Sequence, residues 1–353
     1  MTVVAQIPFE IVTDPSFDLP AAPQFEVPLW SETYLWCCWD PERRIGVYFH
    51  QGTAFFDQSI WRNTMTVCLP DGRMIETKHY GRPSGGTTNG CEALGVVFDE
   101  PLQKWTVRLN GACQIVTREA NRTRLHTDGP PRGAKVELTF TAKNELLNHG
   151  VVSWGKLHHN QHCSVAGRIE VDGEVYEFSG PGYRDHSRGP RDLTGYIGSD
   201  FVWAQFPSGT TLIAADIFMK QEGWGKAYGL MNRDGVYTPF DIVSMPDLTL
   251  CASDPGAVLF SIDEGNGNGP VEITGRIEQA INFTHKLPGT ELCLGTELTT
   301  NSPTDMVVLD CWTTYEWNGE VGYGLCEWIT PINQPRPGKS AIPRLLDIPL
   351  FTW

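Results

Sequence analysis

Ala134-Lys135-Val136-Glu137-Leu138-Thr139-Phe140-Thr141-Ala142-Lys143 alternates apolar and polar side chains at every step. Val136, Leu138, Phe140 and Ala142 point one way, while Lys135, Glu137, Thr139, Thr141 and Lys143 point the other. A period of two is the mark of a β-strand with one buried side. Val271–Phe283 repeats it over a longer span, with Val271, Ile273, Ile277, Ile281 and Phe283 expected on one apolar face. Between such runs stand Asp71-Gly72, Asp172-Gly173, Asp234-Gly235 and Asn318-Gly319. Each is an Asx-Gly pair of the kind that closes a tight hairpin. No amphipathic helix of three turns or more is evident, and a short one is expected around Gln58–Thr64.

Many strands at short spacing predict an all-β sandwich or barrel architecture. At 353 residues the chain exceeds the size of a single core, so two domains are expected. Each half holds a similar number of strand-like runs, which puts the boundary between residues 165 and 180. The division drawn is 1–175 and 176–353. Ile7–Pro28 carries five prolines and reads as an extended arm over the surface. The proline-rich tail from Pro331 onward reads the same way.

Composition narrows the partners. The net charge of −15 argues against nucleic acid, which demands clustered Lys and Arg, and against an anionic membrane surface. No run approaches eighteen apolar residues, so no membrane span is expected. Met1 to Phe17 has neither a basic nor an apolar signal region. Ten cysteines without a bridging pattern, among them the adjacent Cys37-Cys38, read as free thiols in a reducing, cytoplasmic setting. With 12 Trp and 16 Phe, aromatic side chains suffice for cores and for an apolar ligand cavity as well.

The densest cluster of reactive groups is Gly180-Pro181-Gly182-Tyr183-Arg184-Asp185-His186-Ser187-Arg188-Gly189-Pro190-Arg191. Gly180-Pro181-Gly182 is expected to form a turn or bulge. If the strand then continues, Tyr183, Asp185 and Ser187 share one face and Arg184, His186 and Arg188 the other. Asp185 and His186 are then not a dyad, although they are neighbours. The run reads either as proton-transfer chemistry or as a buried polar knot. Asp216, in the apolar run Thr211–Met219, is a second candidate: an unpaired buried carboxyl has the raised pKa of a general acid. Asp310, in Val307–Trp312, poses the same question. His158 and His162 would share a strand face too far apart for one ion, so no metal is expected. Neither a phosphate loop around Gly85-Gly86 and Gly90, nor a nucleophile elbow, nor a nucleotide-cofactor fingerprint is present.

The central run resembles the signature of a lipocalin-like, calycin-type two-domain family. That family includes carotenoid 1,2-hydratases (hydroxyneurosporene synthases), kievitone-hydratase-like proteins, AttH-like proteins and some fungal Diels–Alder cyclases. Its pattern, G-x-G-x-x-D-H-[SN]-W-G, stands here as Gly180, Gly182, Asp185, His186, Ser187 and Gly189, with Arg188 in place of the tryptophan. Ser31-Glu32-Thr33-Tyr34, Val171-Asp172-Gly173-Glu174 and Gly322-Tyr323-Gly324 with Glu327 are weaker echoes. The hydratases' Tyr-x-Asp matches Ala214-Ala215-Asp216, which keeps the acid and loses the tyrosine.

The resemblance covers about residues 26 to 330. It implies two lipocalin-like antiparallel β-barrels or half-barrels packed side by side, with a ligand cavity at or near their junction. It further implies a cofactor-independent acid–base enzyme, a hydratase, isomerase or cyclase, acting on a hydrophobic small molecule such as a terpenoid, polyketide or phenolic. Catalytic roles then fall to Asp185, His186, Asp216 and Tyr183. Substrate-binding roles fall to Arg184, Arg188, Trp203, Glu32 and Glu327. The alternative is a carrier with the same cavity and no turnover.

Overall fold

A computed structural model describes residues 9–123, 130–149, 157–191, 193, 195–220, 226–246, 256–286, 291–295 and 305–331. The expected tail arm lies outside these residues, apart from Pro331, which ends a strand. Strands β1 (Trp30–Asp40), β2 (Ile45–Ala54), β3 (Asp57–Cys68), β4 (Arg73–Gly81), β5 (Lys104–Thr117), β6 (Arg132–Ala142), β7 (Leu157–Val171) and β8 (Glu174–Pro190) run in sequence. Each pairs antiparallel with the next, and β8 returns to β1, closing an eight-stranded barrel. The second barrel repeats this plan. It is built of β9 (Tyr196–Gln205), β10 (Thr211–Met219), β11 (Lys226–Arg233), β12 (Val236–Ser244), β13 (Ala257–Asp263), β14 (Val271–Lys286), β15 (Met306–Trp317) and β16 (Glu320–Pro331). It closes between β16 and β9. Closure leaves no bare sheet edge along either circuit.

The alternation quoted at the outset builds the first core. Val136, Leu138 and Phe140 of β6 meet Trp36, Phe49, Trp105 and Val165 inside the barrel. Three of the four Asx-Gly pairs close two-residue hairpins as expected, while Asp71-Gly72 ends the longer Leu69–Gly72 connection between β3 and β4. Asp172-Gly173, Asp234-Gly235 and Asn318-Gly319 each have positive φ at both residues and join β7–β8, β11–β12 and β15–β16. That is the geometry of a two-residue type I′ hairpin, whose twist matches the flanking strands.

Three local expectations are corrected. Gly180-Pro181-Gly182 is not a turn but the middle of β8, in unbroken register with Val165, Ser164 and Cys163. Its glycines answer a close approach: a Cβ at Gly180 would lie 1.9 Å from the Trp39 carbonyl oxygen, and one at Gly182 2.4 Å from a Val165 methyl. Gln58–Thr64 is strand, part of β3, because β2 and β4 offer partners on both sides. In β14 a bulge between Ile277 and Gln279 flips the alternation. Ile273 and Ala280 therefore join the second core, while Ile281 stands opposite Asp310 and Phe283 opposite Val308, on the other face.

The sequence reading divides the chain after residue 175; strand pairing carries the first barrel through Pro190. A short helix, Arg118–Thr123, leaves the end of β5 and groups with the second barrel. There Arg118 and Asn121 hydrogen-bond to the side chain and backbone of Asn282. No helix among the described residues is long and apolar enough to cross a membrane. The described cysteines are free thiols, with Cys37 and Cys38 both buried.

Candidate functional site

Strand β8 carries two polar constellations, one on each face. Pleating separates them as the alternation predicts. Toward the interior, Arg184, His186 and Arg188 stand opposite Trp36, Tyr34 and Glu32 of β1. On the other side His186 faces His159, and Arg184 faces Gln161, of β7. His186 donates from Nε2 to Glu32 Oε1 at 2.9 Å and stacks on the Tyr34 ring at 3.9 Å. Glu32 also accepts from the Ala21 amide at 2.9 Å and from the Tyr34 hydroxyl at 3.3 Å. Arg188 lies 3.8 Å from Glu32 and donates to the Leu19 carbonyl. Four of the nine residues singled out in the sequence thus converge: Glu32, Arg184, His186 and Arg188.

The proline-rich arm does more than cross the surface. A single 3-10 turn, Pro15–Phe17, delivers Asp18 into the barrel, where it is fully buried. Asp18 accepts from Arg184 Nη1 (2.6 Å), Trp105 Nε1 (2.9 Å) and the Leu102 amide (2.6 Å). The Arg184 guanidinium carbon lies over the Trp105 ring, 4.0 Å from its centroid.

Burial governs the electrostatics of this interior. It lowers the pKa of His186 below 6.5, against the opposing pull of Glu32 and Asp18. Burial, joined by the charges of His186 and Arg184, lowers His159 much further. Both imidazoles are therefore neutral at pH 7. With the Nε2 hydrogen committed to Glu32, His186 Nδ1 is a lone-pair nitrogen, and it has no hydrogen-bond partner. Both ring nitrogens of His159 and Arg184 Nη2 lack partners as well. Such orphaned buried groups are costly and call for an explanation.

The opposite face of β8 holds Tyr183, Asp185 and Ser187. Asp185 Oδ2 accepts from His158 Nε2 at 2.8 Å and from Asn160 at 2.9 Å. Burial pushes the Asp185 pKa up, but His158, Arg191 and His186 together prevail and leave it below 3.8. His149, beside His158, is held down to about 3 by burial. Tyr183 is buried and packs edge-on to His162. Asp185 and His186 therefore belong to separate His–carboxylate pairs.

The remaining three residues lie on the second barrel. Asp216 stands opposite Asp200 and is half-buried, not enclosed. Trp203 is fully buried. Glu327 stands directly across from Asp310, which is fully buried in a row with Ile281 and Phe201. Burial first, then the charge and hydrogen bond of Glu327, hold the Asp310 carboxyl well above 3.8. The buried carboxyl sought at Asp216 is thus at Asp310. A carboxyl raised in the folded state binds more protons there than in the unfolded chain. Its penalty therefore grows as pH rises from about 4 toward neutral. Asp310→Asn is expected to raise the thermal midpoint at pH 8 and to leave it nearly unchanged at pH 4. Melting curves of both proteins across that range measure this.

Sequence reasoning missed Asp18, whose arm has no periodicity to read, and did not single out His159 from its neighbours His158 and His162. It also missed the Asp310–Glu327 pairing, which only the β15–β16 register reveals. Among the described residues no group of three or more His, Cys, Asp or Glu is placed to hold a metal ion.

A family model described as a domain of unknown function (DUF7064) matches residues 14–332. No curated protein matches. Among solved structures, an AttH-like protein from Nitrosomonas europaea is similar at 15% identity and a TM-score of 0.52, over 88% of this chain and 97% of that one. The structure of CghA with Sch210972 is similar at 10% identity and a TM-score of 0.50, over 86% and 89%. Kievitone hydratase from Nectria haematococca follows at 10% identity and a TM-score of 0.49, over 92% and 94%. The first two similarities concern the fold, and they agree with the antiparallel β-barrel architecture expected from the sequence.

Proposed function

The chain belongs to the family described as a domain of unknown function (DUF7064), and on that footing we propose that it is an acid–base enzyme working inside its first barrel. The substrate class is a largely apolar small molecule bearing oxygen, and the reaction is loss or gain of water across a carbon–carbon bond or a related isomerisation. One observation carries the reading: His186 is fixed through Nε2 by Glu32, while its basic Nδ1 has no hydrogen-bond partner in a buried interior. A carboxylate that orients an imidazole and leaves its second nitrogen free is the arrangement of a positioned general base. A similar fold is known with a small molecule, Sch210972, in the CghA structure.

The chemistry follows from the residues. Trp36, Phe98 and Trp105 belong to the apolar core of the same barrel, the surroundings that a largely apolar substrate would meet. Arg184 Nη2 is the donor available to an oxygen that gains negative charge. In dehydration of a β-hydroxy carbonyl compound, Nδ1 takes the proton from the carbon beside the carbonyl, and the electron pair moves onto the carbonyl oxygen that Arg184 Nη2 holds. The electron pair then returns to form the carbon–carbon double bond as the C–O bond to the hydroxyl breaks; the same nitrogen gives its proton to that hydroxyl, so water leaves and His186 ends neutral. Glu32 stabilises the imidazolium that exists between those steps. Asp185, Tyr183, Asp216, Trp203 and Glu327 carry no step in this scheme.

The test starts with native mass spectrometry of the protein as purified, to identify a retained small molecule. That compound is then incubated with the protein in deuterated water. Deuterium incorporation, or a mass change of one water, supports the enzyme. Retention without either supports the carrier and overturns the reading.

A further inference from the structure

Asp18 sits in a cradle that the barrel builds without it. Arg184 is held by its Nε bond to Gln161 at 2.9 Å, and Gln161 is pinned by the carbonyls of Leu102 and Asn144. The guanidinium also rests on Trp105. Three donors from three elements therefore point at one place: Arg184 Nη1 from β8, Trp105 Nε1 from β5 and the Leu102 amide ahead of β5. A cation flanked by two neutral N–H groups in a buried interior is a carboxylate receptor. Its present occupant belongs to an arm that is tied down on either side of Asp18. Glu10–Val12 pairs with Leu146–Asn148, and Ala21 and Gln24 bond to Glu32 and Gln58.

The occupant fills the receptor incompletely. Asp18 uses Nη1 and leaves Arg184 Nη2 unpartnered, and His159, which faces His186 and lies two residues along β7 from Arg184's partner Gln161, has two unpartnered ring nitrogens. An aspartate side chain has no further polar atom to offer them. A carboxylate with a hydroxyl on the adjacent carbon has one.

We propose that the Arg184–Trp105–Leu102 cradle is a binding site for a small-molecule carboxylate bearing a neighbouring hydroxyl, and that Asp18 is its tethered stand-in, displaced when such a ligand enters. The inference rests on reading this interior as a ligand site. It adds the substrate's anionic group and makes the arm a competitive strap.

Chemical rescue of Asp18→Gly tests this. The variant removes the stand-in and leaves the cradle. Its thermal midpoint is measured in sodium acetate, in sodium glycolate and in sodium chloride at equal ionic strength. Acetate is expected to restore part of the lost midpoint, glycolate to do so at severalfold lower concentration, and chloride to restore nothing. Adding Arg184→Met should abolish the difference between the salts. Equal effects of acetate and chloride overturn the site, and equal effects of acetate and glycolate overturn the hydroxyl. Should Asp18→Gly fail to fold in chloride, the folded yield in acetate against chloride decides in the same way. The readout is binding without turnover. Its failure therefore leaves His186 chemistry to be judged on its own, and an inactive protein leaves the rescue interpretable.

Discussion

Replacing His186 with Asn is expected to lower turnover of the retained compound by about 10²–10⁴-fold, the usual contribution of one positioned general base. Binding should change less than turnover, because Asn keeps a polar atom on the Nδ1 side of the ring and leaves Trp36, Phe98 and Trp105 in place, while it gives up the bond to Glu32. The counterpart on the reverse face of β8, Asp185→Asn, is expected to spare most of the activity, since Asp185 serves His158 and not His186. Steady-state rates of the two variants beside the wild type separate these outcomes. The wild-type pH profile adds a second check. Burial lowers His186 below 6.5, and a base works when unprotonated. The acid limb of kcat should therefore fall below pH 6.5. A limb above it would place the base elsewhere.

Replacing Arg184 with Met is expected to cost about 3–5 kcal/mol of stability, because it leaves a buried carboxylate without its cation. Arg184 is 1% exposed and Asp18 is fully buried, so solvent cannot compensate. The double variant Arg184→Met with Asp18→Leu should recover much of that loss, since an apolar pair of similar volume often replaces a buried ion pair without penalty. Denaturant unfolding of the three proteins measures the coupling. A single variant that loses less than about 1 kcal/mol, the range of an exposed pair, would mean that the arm does not enter the barrel.

Much of this architecture is legible in the chain because strands expose their pattern locally. Alternation in Ala134–Lys143 and the Asx-Gly turns depend on near neighbours only; the alternation is realised, and so are three of the four hairpins. The same rule split β8 into an inner set, Arg184, His186 and Arg188, and an outer set, Tyr183, Asp185 and Ser187. What escaped depends on contacts distant in sequence. The glycines at 180 and 182 look like turn residues, and only the passage of Trp39 and Val165 explains them. Asp18 meets Arg184 across 166 positions, with no local pattern to announce it. The bulge in β14 inserts one residue and turns Ile281 and Phe283 away from the core their spacing indicates. Asp310 and Glu327 are unremarkable until the hairpin register sets them face to face.

The central claim is that ligand meets the inner face of β8, at His186. Nitrogen-detected NMR of histidine-labelled protein, with and without the retained compound, tests it most directly. The account predicts that His186 Nδ1 starts as an unprotonated nitrogen and shifts on binding, while both nitrogens of His158 stay still. A ligand-induced shift confined to His158, with His186 unmoved, would contradict it.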